Sequence, residues 1–253
     1  MSGDDRLLVL TYHAIDDEPS VISMPPALFR RQMDTLAALG LRGIGLVEAF
    51  RHREETGRFP EQSVALTFDD GYLTVLRHAL PALQSHGFGA TAFVVSGAVG
   101  MGRRQAAVIN RDLDRDLMDW KHLAELAACG VEIGSHTQTH ADLRRVGPDA
   151  LRRELSVSRE TLQQRLQLPV ESFAYPYGRF DRNVRDAAAG QYWLACTTRL
   201  GRHTAGDDPL QIRRVDAWYL RRHARFERLA GGGLDAWLAL RQAARDIRQA
   251  FRR

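Results

Sequence analysis

The stretch Val64-Ala-Leu-Thr-Phe-Asp-Asp-Gly-Tyr72 (VALTFDDGY) runs four apolar residues in five into two adjacent carboxylates and a glycine. The apolar run reads as a buried strand, and Gly71 reads as its stop. Asp69 and Asp70 repel one another at a strand end and lose hydration there. Asp-Gly is common in turns, so these nine residues alone favour a surface turn. A metal or acid–base site is the alternative that would give both charges a purpose.

Working outward, short β-type runs recur at 6–12, 63–68, 90–96, 131–135, 170–175, 192–197 and 211–216. Helical patterns lie between them at 27–39, 72–86, 117–129, 148–166, 180–189 and 234–251. In the first, Phe29, Met33, Leu36 and Ala37 recur at helical spacing and Gly40 stops the run. Strands alternating with helices predict an α/β fold with a parallel sheet. Seven strands suit either a doubly wound sheet or an incomplete barrel; the absence of phosphate-binding glycine patterns counts against a nucleotide-binding sheet. No internal repeat or long Pro/Ser/Gly linker divides the chain, which predicts one domain. The 98–116 stretch reads as the longest loop. Gly231-Gly232-Gly233 reads as a hinge between a body of residues 1–230 and a C-terminal helix over 231–253. That helix places Trp237, Leu240, Ala244, Ile247 and Phe251 on one stripe and Arg241, Arg245, Arg248 and Arg252 on another. The expected arrangement packs the apolar stripe on the domain; contact with an anionic membrane surface is the alternative.

The chain has 253 residues with 44% hydrophobic content, enough for a large core. Lys121 is the only lysine among 35 basic side chains, and the net charge is +4. The arginines are spread along the chain without an aromatic-interleaved basic cluster, so no nucleic-acid partner is expected. Cys129 and Cys196 sit in apolar contexts without metal-type spacing and read as reduced core residues. No run approaches the ~18 apolar residues of a membrane span. The N-terminus lacks the basic and apolar regions of a signal peptide, which gives a cytoplasmic expectation.

A second strand end carries Ile133-Gly-Ser-His-Thr-Gln-Thr-His140, with two histidines four apart. On a helical turn such a pair would project from one face and suit a single metal ion. In parallel α/β folds the C-terminal strand ends converge on one rim, where active sites are built. His136 would then meet Asp69 and Asp70. Two imidazoles and one carboxylate leave open positions for water and substrate, as in hydrolytic metal centres.

TFDDG, SHTQTH and FAYPYGRFD (173–181) occur in this order and spacing, and in them the chain resembles the polysaccharide deacetylase family of carbohydrate esterases, the NodB-homology group. LTYHAI and the run PALFRRQMDTLAALGLRGIGLVEAF are similar to the branch of poly-N-acetylglucosamine deacetylases. The resemblance spans about residues 8–230 and implies a distorted (β/α) barrel of about seven parallel strands. It also implies a metal-dependent hydrolase that removes N-acetyl groups from amino sugars by attack of a metal-activated water. By position, Asp69 corresponds to the general base, and Asp70, His136 and His140 to the metal ligands. Ser135 and Thr137 would orient the histidine loop. Pro176 and Tyr175 would shape the groove, and the Tyr177 backbone N–H would donate to the oxyanion. The implied cofactor is one divalent ion, zinc first, with cobalt, nickel or iron compatible with the same donors. The implied partner is an N-acetylated saccharide.

The chain departs from the family pattern at Ala174, where many members carry an arginine that tethers the catalytic aspartate. Arg213 or Arg214 is the expected replacement, with Asp216 and Trp218 resembling a further motif at the groove. The motif that usually supplies an acidic histidine is not evident. His13 at the end of the first strand is the expected general acid; His203 and His223 are weaker substitutes. Two other functions compete: hydrolysis of another amide, imide or ester at the same site, or saccharide binding without catalysis.

Overall fold

The computed structural model describes residues 5–250, with side chains described to 248. The chain forms β1 (Arg6–Tyr12), α1 (Pro26–Ala38), β2 (Arg42–Ile44), α2 (Leu46–Thr56) and β3 (Ser63–Phe68). After a widened turn (Val75–Ala79) come α3 (Leu80–Gln84), β4 (Ala90–Val94), α4 (Arg103–Ile109), α5 (Trp120–Ala128) and β5 (Val131–Ser135). There follow α6 (Pro148–Leu166), β6 (Ser172–Ala174), α7 (Arg182–Ala189), β7 (Leu194–Cys196), β8 (His203–Thr204), β9 (Val215–Asp216), α8 (His223–Ala230) and α9 (Asp235–Ala250).

The strands build one curled sheet in the order β7-β6-β5-β4-β3-β1-β8, with β2 on β3 and β9 on β1. All pairings between these strands are parallel except β1 with β8. Ile212 bridges to Cys196 of β7, and Val215 pairs with Leu10 of β1. The 211–216 segment therefore spans from the last long-path strand back to the first, giving the distorted barrel that the sequence predicts.

Side-chain alternation along the strands sorts the core into two faces. Leu8, Leu10 and Tyr12 join Phe29, Met33 and Leu36 of α1 on the outer face. Leu7 and Val9 join Ala65, Phe93, Ala174 and Ile212, each from a different segment of the sheet, in its interior. Burial on both faces explains why the strands read as continuous apolar runs.

Several elements differ from the sequence reading. The 98–116 stretch contains α4. The expected helix over 72–86 begins as a π-type turn, because Pro81 has no N–H to give the carbonyl of the preceding turn. On α9 the residue buried against the domain is Leu238, with Leu234 and Trp237 packed beside it. Leu240 and Ile247 of the expected packing stripe are 71% and 58% exposed, and Phe251 lies outside the described residues. Among the described residues, no helix is long and apolar enough to cross a membrane.

Candidate metal centre and cleft

The parallel strands deliver their C-terminal ends to one rim: His13 after β1, Asp69 and Asp70 after β3, His136 after β5, and Tyr175–Tyr177 after β6. They border a cleft of about 780 Å³, within the range of small-ligand sites. Backbone bonds fix two of these exits: Asp69 N–H donates to Tyr12 O, and His136 N–H to Val94 O, both at 2.9 Å.

Asp70, His136 and His140 are buried, and one potential ligand atom from each lies within 4.8 Å of the others. Both imidazole Nε2 atoms stand 3.4 Å from Asp70 Oδ1. His136 Nδ1 donates to Ala174 O at 2.7 Å, which turns Nε2 toward Asp70 as a metal-binding imidazole requires. Two imidazoles and one carboxylate with remaining open positions fit a divalent ion. Burial pushes the His140 imidazole down to about 4. Burial also opposes charge on His136, but the Asp70 hydrogen bond and the two carboxylates outweigh it and hold that imidazole above its ordinary value. Asp70 is likewise held below the usual carboxylate range: burial pushes it up, and the histidines beside it prevail.

His136 and His140 do not lie on a helical turn. They flank a loop in which Thr137 and His140 have left-handed backbone, φ 68° and 57°. Thr137 Oγ1 accepts from His140 N–H at 2.9 Å, and Ser135 Oγ bonds Ser158 Oγ at 2.8 Å. Glu154 on α6 completes the loop: its carboxylate accepts from the N–H groups of Gln138 and Thr139 at 2.9 Å and from the Thr139 hydroxyl at 2.7 Å. Sequence reasoning passed over Glu154, although a signal existed. It shares the buried face of α6 with Leu151, Leu155 and Leu162, and a carboxylate on an apolar stripe needs a partner.

Asp70 (φ 73°) and Tyr177 (φ 61°) are also left-handed, so four of the seven such non-glycine residues among those described sit at this site. Each costs about 1–3 kcal/mol, and the surrounding bonds must over-determine it. Glycine follows twice. Gly71 has φ 80°, and Gly178 has φ 65°, where an added Cβ would lie 2.1 Å from Thr198 Oγ1.

Asp69 is 3% exposed and is gripped by Arg214, itself 1% exposed. Nη1 donates to Oδ1 and Nη2 to Oδ2, each at 2.8 Å. Arg214 also donates to Thr197 O at 3.0 Å and Thr67 Oγ1 at 3.1 Å. Burial pushes the Asp69 carboxyl up, but the Arg214 charge and hydrogen bonds, joined by the His136 charge, together outweigh it and leave the group below its ordinary value. Arg213 points elsewhere, toward Asp207 at 3.5 Å. The gap at Ala174 is therefore filled from a different strand segment. His13 lines the cleft with Nε2 3.9 Å from Asp69 Oδ2.

Other expected residues are placed differently. Tyr175 borders the cleft, but its side chain is buried and its hydroxyl donates to Leu210 O, so it supplies wall and no free polar group. Pro176 is buried at the start of the turn that carries Tyr177 and acts on the groove through backbone shape. Trp218 is 41% exposed against Tyr219 and is not among the cleft-lining residues, because the turn after β9 carries it outside the rim. His203 pairs through β8 with Leu7, at the opposite end of β1, and packs between Phe50 and Phe59. His223 contacts Thr35 and Glu227 on the outer helices. Neither histidine lines the cleft.

Several known proteins are similar to this chain in sequence or fold. YxkH of Bacillus subtilis, provisionally named a polysaccharide deacetylase, is 25% identical over 211 residues, covering 83% of this chain and 71% of its own. A poly-β-1,6-N-acetyl-D-glucosamine N-deacetylase of Staphylococcus aureus is 26% identical over 165 residues; the match covers 62% of this chain and about half, 54%, of the relative. Among solved structures, the Streptococcus pyogenes deacetylase PplD, in complex with acetate, superposes with TM-score 0.74 at 26% identity, covering 85% of this chain and 93% of that one. IcaB from Ammonifex degensii gives 0.73 at 26%, with 89% and 98% covered. The polysaccharide deacetylase family model matches residues 56–191, a segment that contains Asp69, Asp70, His136, His140 and Tyr177. With that match over more than half its length, the chain belongs to the polysaccharide deacetylase family.

Proposed function

We propose that this protein is a metal-dependent N-deacetylase acting on a glycan of N-acetylated amino sugars, with N-acetylglucosamine oligomers as its substrate class. The observation that carries the reading is the buried Asp70–His136–His140 cluster beside an aspartate gripped by a buried arginine. The substrate class is supported by the staphylococcal relative's name and by a cleft open enough for a saccharide.

A divalent ion held by Asp70, His136 and His140 would supply Lewis acidity, polarising the acetamide carbonyl and making a water acidic enough to attack near neutral pH. The chain's own groups do the rest. Asp69, fixed and kept ionised by Arg214, accepts the proton of the attacking water. The Tyr177 backbone N–H, presented from a left-handed turn, donates to the oxyanion that develops as the carbonyl becomes tetrahedral. His13 delivers a proton to the departing amine, which is otherwise a poor leaving group. The products are acetate and a free amino sugar.

The test is acetate release from β-1,6-linked N-acetylglucosamine oligomers, before and after chelation and with zinc restored. Activity that disappears with chelator and returns with zinc supports the proposal. Acetate release by metal-free protein would overturn the metal dependence, and no release from any N-acetylated saccharide would overturn the substrate class.

A further inference from the structure

The α4–α5 loop forms one wall of the cleft and sends a single side chain to both halves of the site. Asn110 Nδ2 donates to the backbone carbonyl of His140 at 2.7 Å and to the Tyr177 hydroxyl at 3.1 Å. Its Oδ1 accepts from Asp112 N–H at 3.0 Å. The Tyr177 hydroxyl in turn donates to Asp112 Oδ2 at 2.8 Å. The Tyr177 ring meets the His140 ring edge-on, with centroids 4.7 Å apart, and the Arg179 guanidinium stands 5.2 Å over the Tyr177 ring.

The two residues that Asn110 joins are both left-handed, His140 at φ 57° and Tyr177 at φ 61°. Neither conformation is self-sustaining in a non-glycine residue, so an external bond has to hold it. The loop that supplies the bond is itself anchored. Leu73 N–H donates to Asp116 O and Met118 N–H to Gly71 O, both at 2.9 Å, which ties the wall to the turn carrying Asp70. Buried Arg115 donates to Asp16 Oδ2 at 3.0 Å and to Ser23 Oγ at 3.2 Å, tying it to the segment after His13.

We propose that Asn110 is a positioning residue for deacetylation, one amide that sets the His140 ligand loop and the Tyr177 donor turn in register with each other. The inference rests on the deacetylase reading for its kinetic part and on the metal site alone for its binding part. A misplacement of about 1 Å at a reacting centre costs on the order of 10²-fold in rate. Loss of an outer partner of a metal ligand costs about 10–100-fold in affinity.

The experiment compares Asn110→Ala, Asn110→Asp and Tyr177→Phe, and combines Asn110→Ala with Tyr177→Phe. Zinc affinity is read by competition with a chromophoric chelator, and kcat and KM by acetate release. Asn110→Ala and Asn110→Asp should each bind zinc about 10-fold more weakly or worse, because both remove the donor to His140 O; Tyr177→Phe should bind zinc as wild type does. All three should lower kcat by about 10–100-fold with KM held within about twofold. The double variant should be no slower than its slower parent, since both changes break one linkage. Unchanged zinc affinity in Asn110→Ala overturns the His140 half. Losses confined to KM, or additive losses in the double variant, overturn the Tyr177 half. A wild-type protein that releases no acetate would instead strike the deacetylase reading and leave the zinc comparison to decide the His140 half.

Discussion

Arg214→Met asks what a buried guanidinium does for the Asp69 carboxylate, the proposed general base. Among the described residues Arg214 has no other charged partner at contact: both Nη atoms reach Asp69, Nη1 also donates to Thr67 Oγ1, and Nε goes to the Thr197 carbonyl. Methionine fills much of the space but strands Asp69, 3% exposed, without its counter-charge. Breaking a buried ion pair from one side costs about 3–5 kcal/mol. At about 2–4 °C per kcal/mol for a domain of this size, melting should fall by about 6–20 °C at neutral pH. The sign of the pH dependence follows from Asp69. In the wild type its folded pKa is depressed, so its stabilisation is present above the unfolded value of about 3.9 and is lost as pH falls through the folded one. In the variant, burial is no longer outweighed by Arg214 and the folded pKa rises above the unfolded value. Ionised Asp69 then destabilises, and the melting gap between variant and wild type should narrow as pH drops from about 7.5 to 5. The acidic limb of the kcat/KM profile should move to higher pH, and kcat should fall by about 10²–10⁴-fold, the worth of a general base. Arg214→Lys, which restores charge without the fork, should recover part of both losses. A melting gap that stays constant with pH, together with unchanged kinetics, would refute the tether.

Asp70→Ala, His136→Ala and His140→Ala should each lose bound metal and activity by elemental analysis and acetate release, whereas Asp69→Asn should lose activity and keep the metal. Metal retained after changing both histidines would remove the assignment. Because His136 is held above its ordinary pKa in the ion-free site, zinc binding near pH 6.5 should release a proton, measurable as acidification of a weakly buffered solution, and affinity should rise with pH. His13→Ala should lower kcat on amides by about 10²–10⁴-fold while sparing an activated acetate ester, which needs no protonated leaving group. Equal slowing of both substrates, or lost metal, would make His13 structural or a ligand.

The strand-end residues were legible because a parallel sheet gathers its C-terminal ends whatever the loops do, so VALTFDDGY and IGSHTQTH had to meet once both were strands. The loop geometry was not legible. Spacing suggested a helical turn for His136 and His140, but the pair is held by Thr137 and Glu154 across a left-handed backbone that no local pattern encodes. The choice between Arg213 and Arg214 was open in the residues, yet alternation decides it once Ile212 is placed. Ile212 lies in the sheet interior, so Arg214, two residues on, faces inward and Arg213 faces out. The C-terminal helix follows its pattern only in part. Of its stripe of Trp237, Leu240, Ala244, Ile247 and Phe251, Trp237 packs on the domain and Leu240 and Ile247 face solvent. The domain offers backbone polar groups at a strand exit: Arg245 donates to Thr198 O at 2.9 Å, and Gln242 Oε1 accepts from Leu200 N–H at 2.8 Å. Leaving those groups unpaired costs more than leaving a leucine and an isoleucine in water. The helix therefore turns its polar residues inward there and, among the described residues, buries Leu238 with Trp237 partly buried, while Arg225 of α8 and Arg241 carry their guanidinium groups over Trp237 at 4.8 and 5.1 Å.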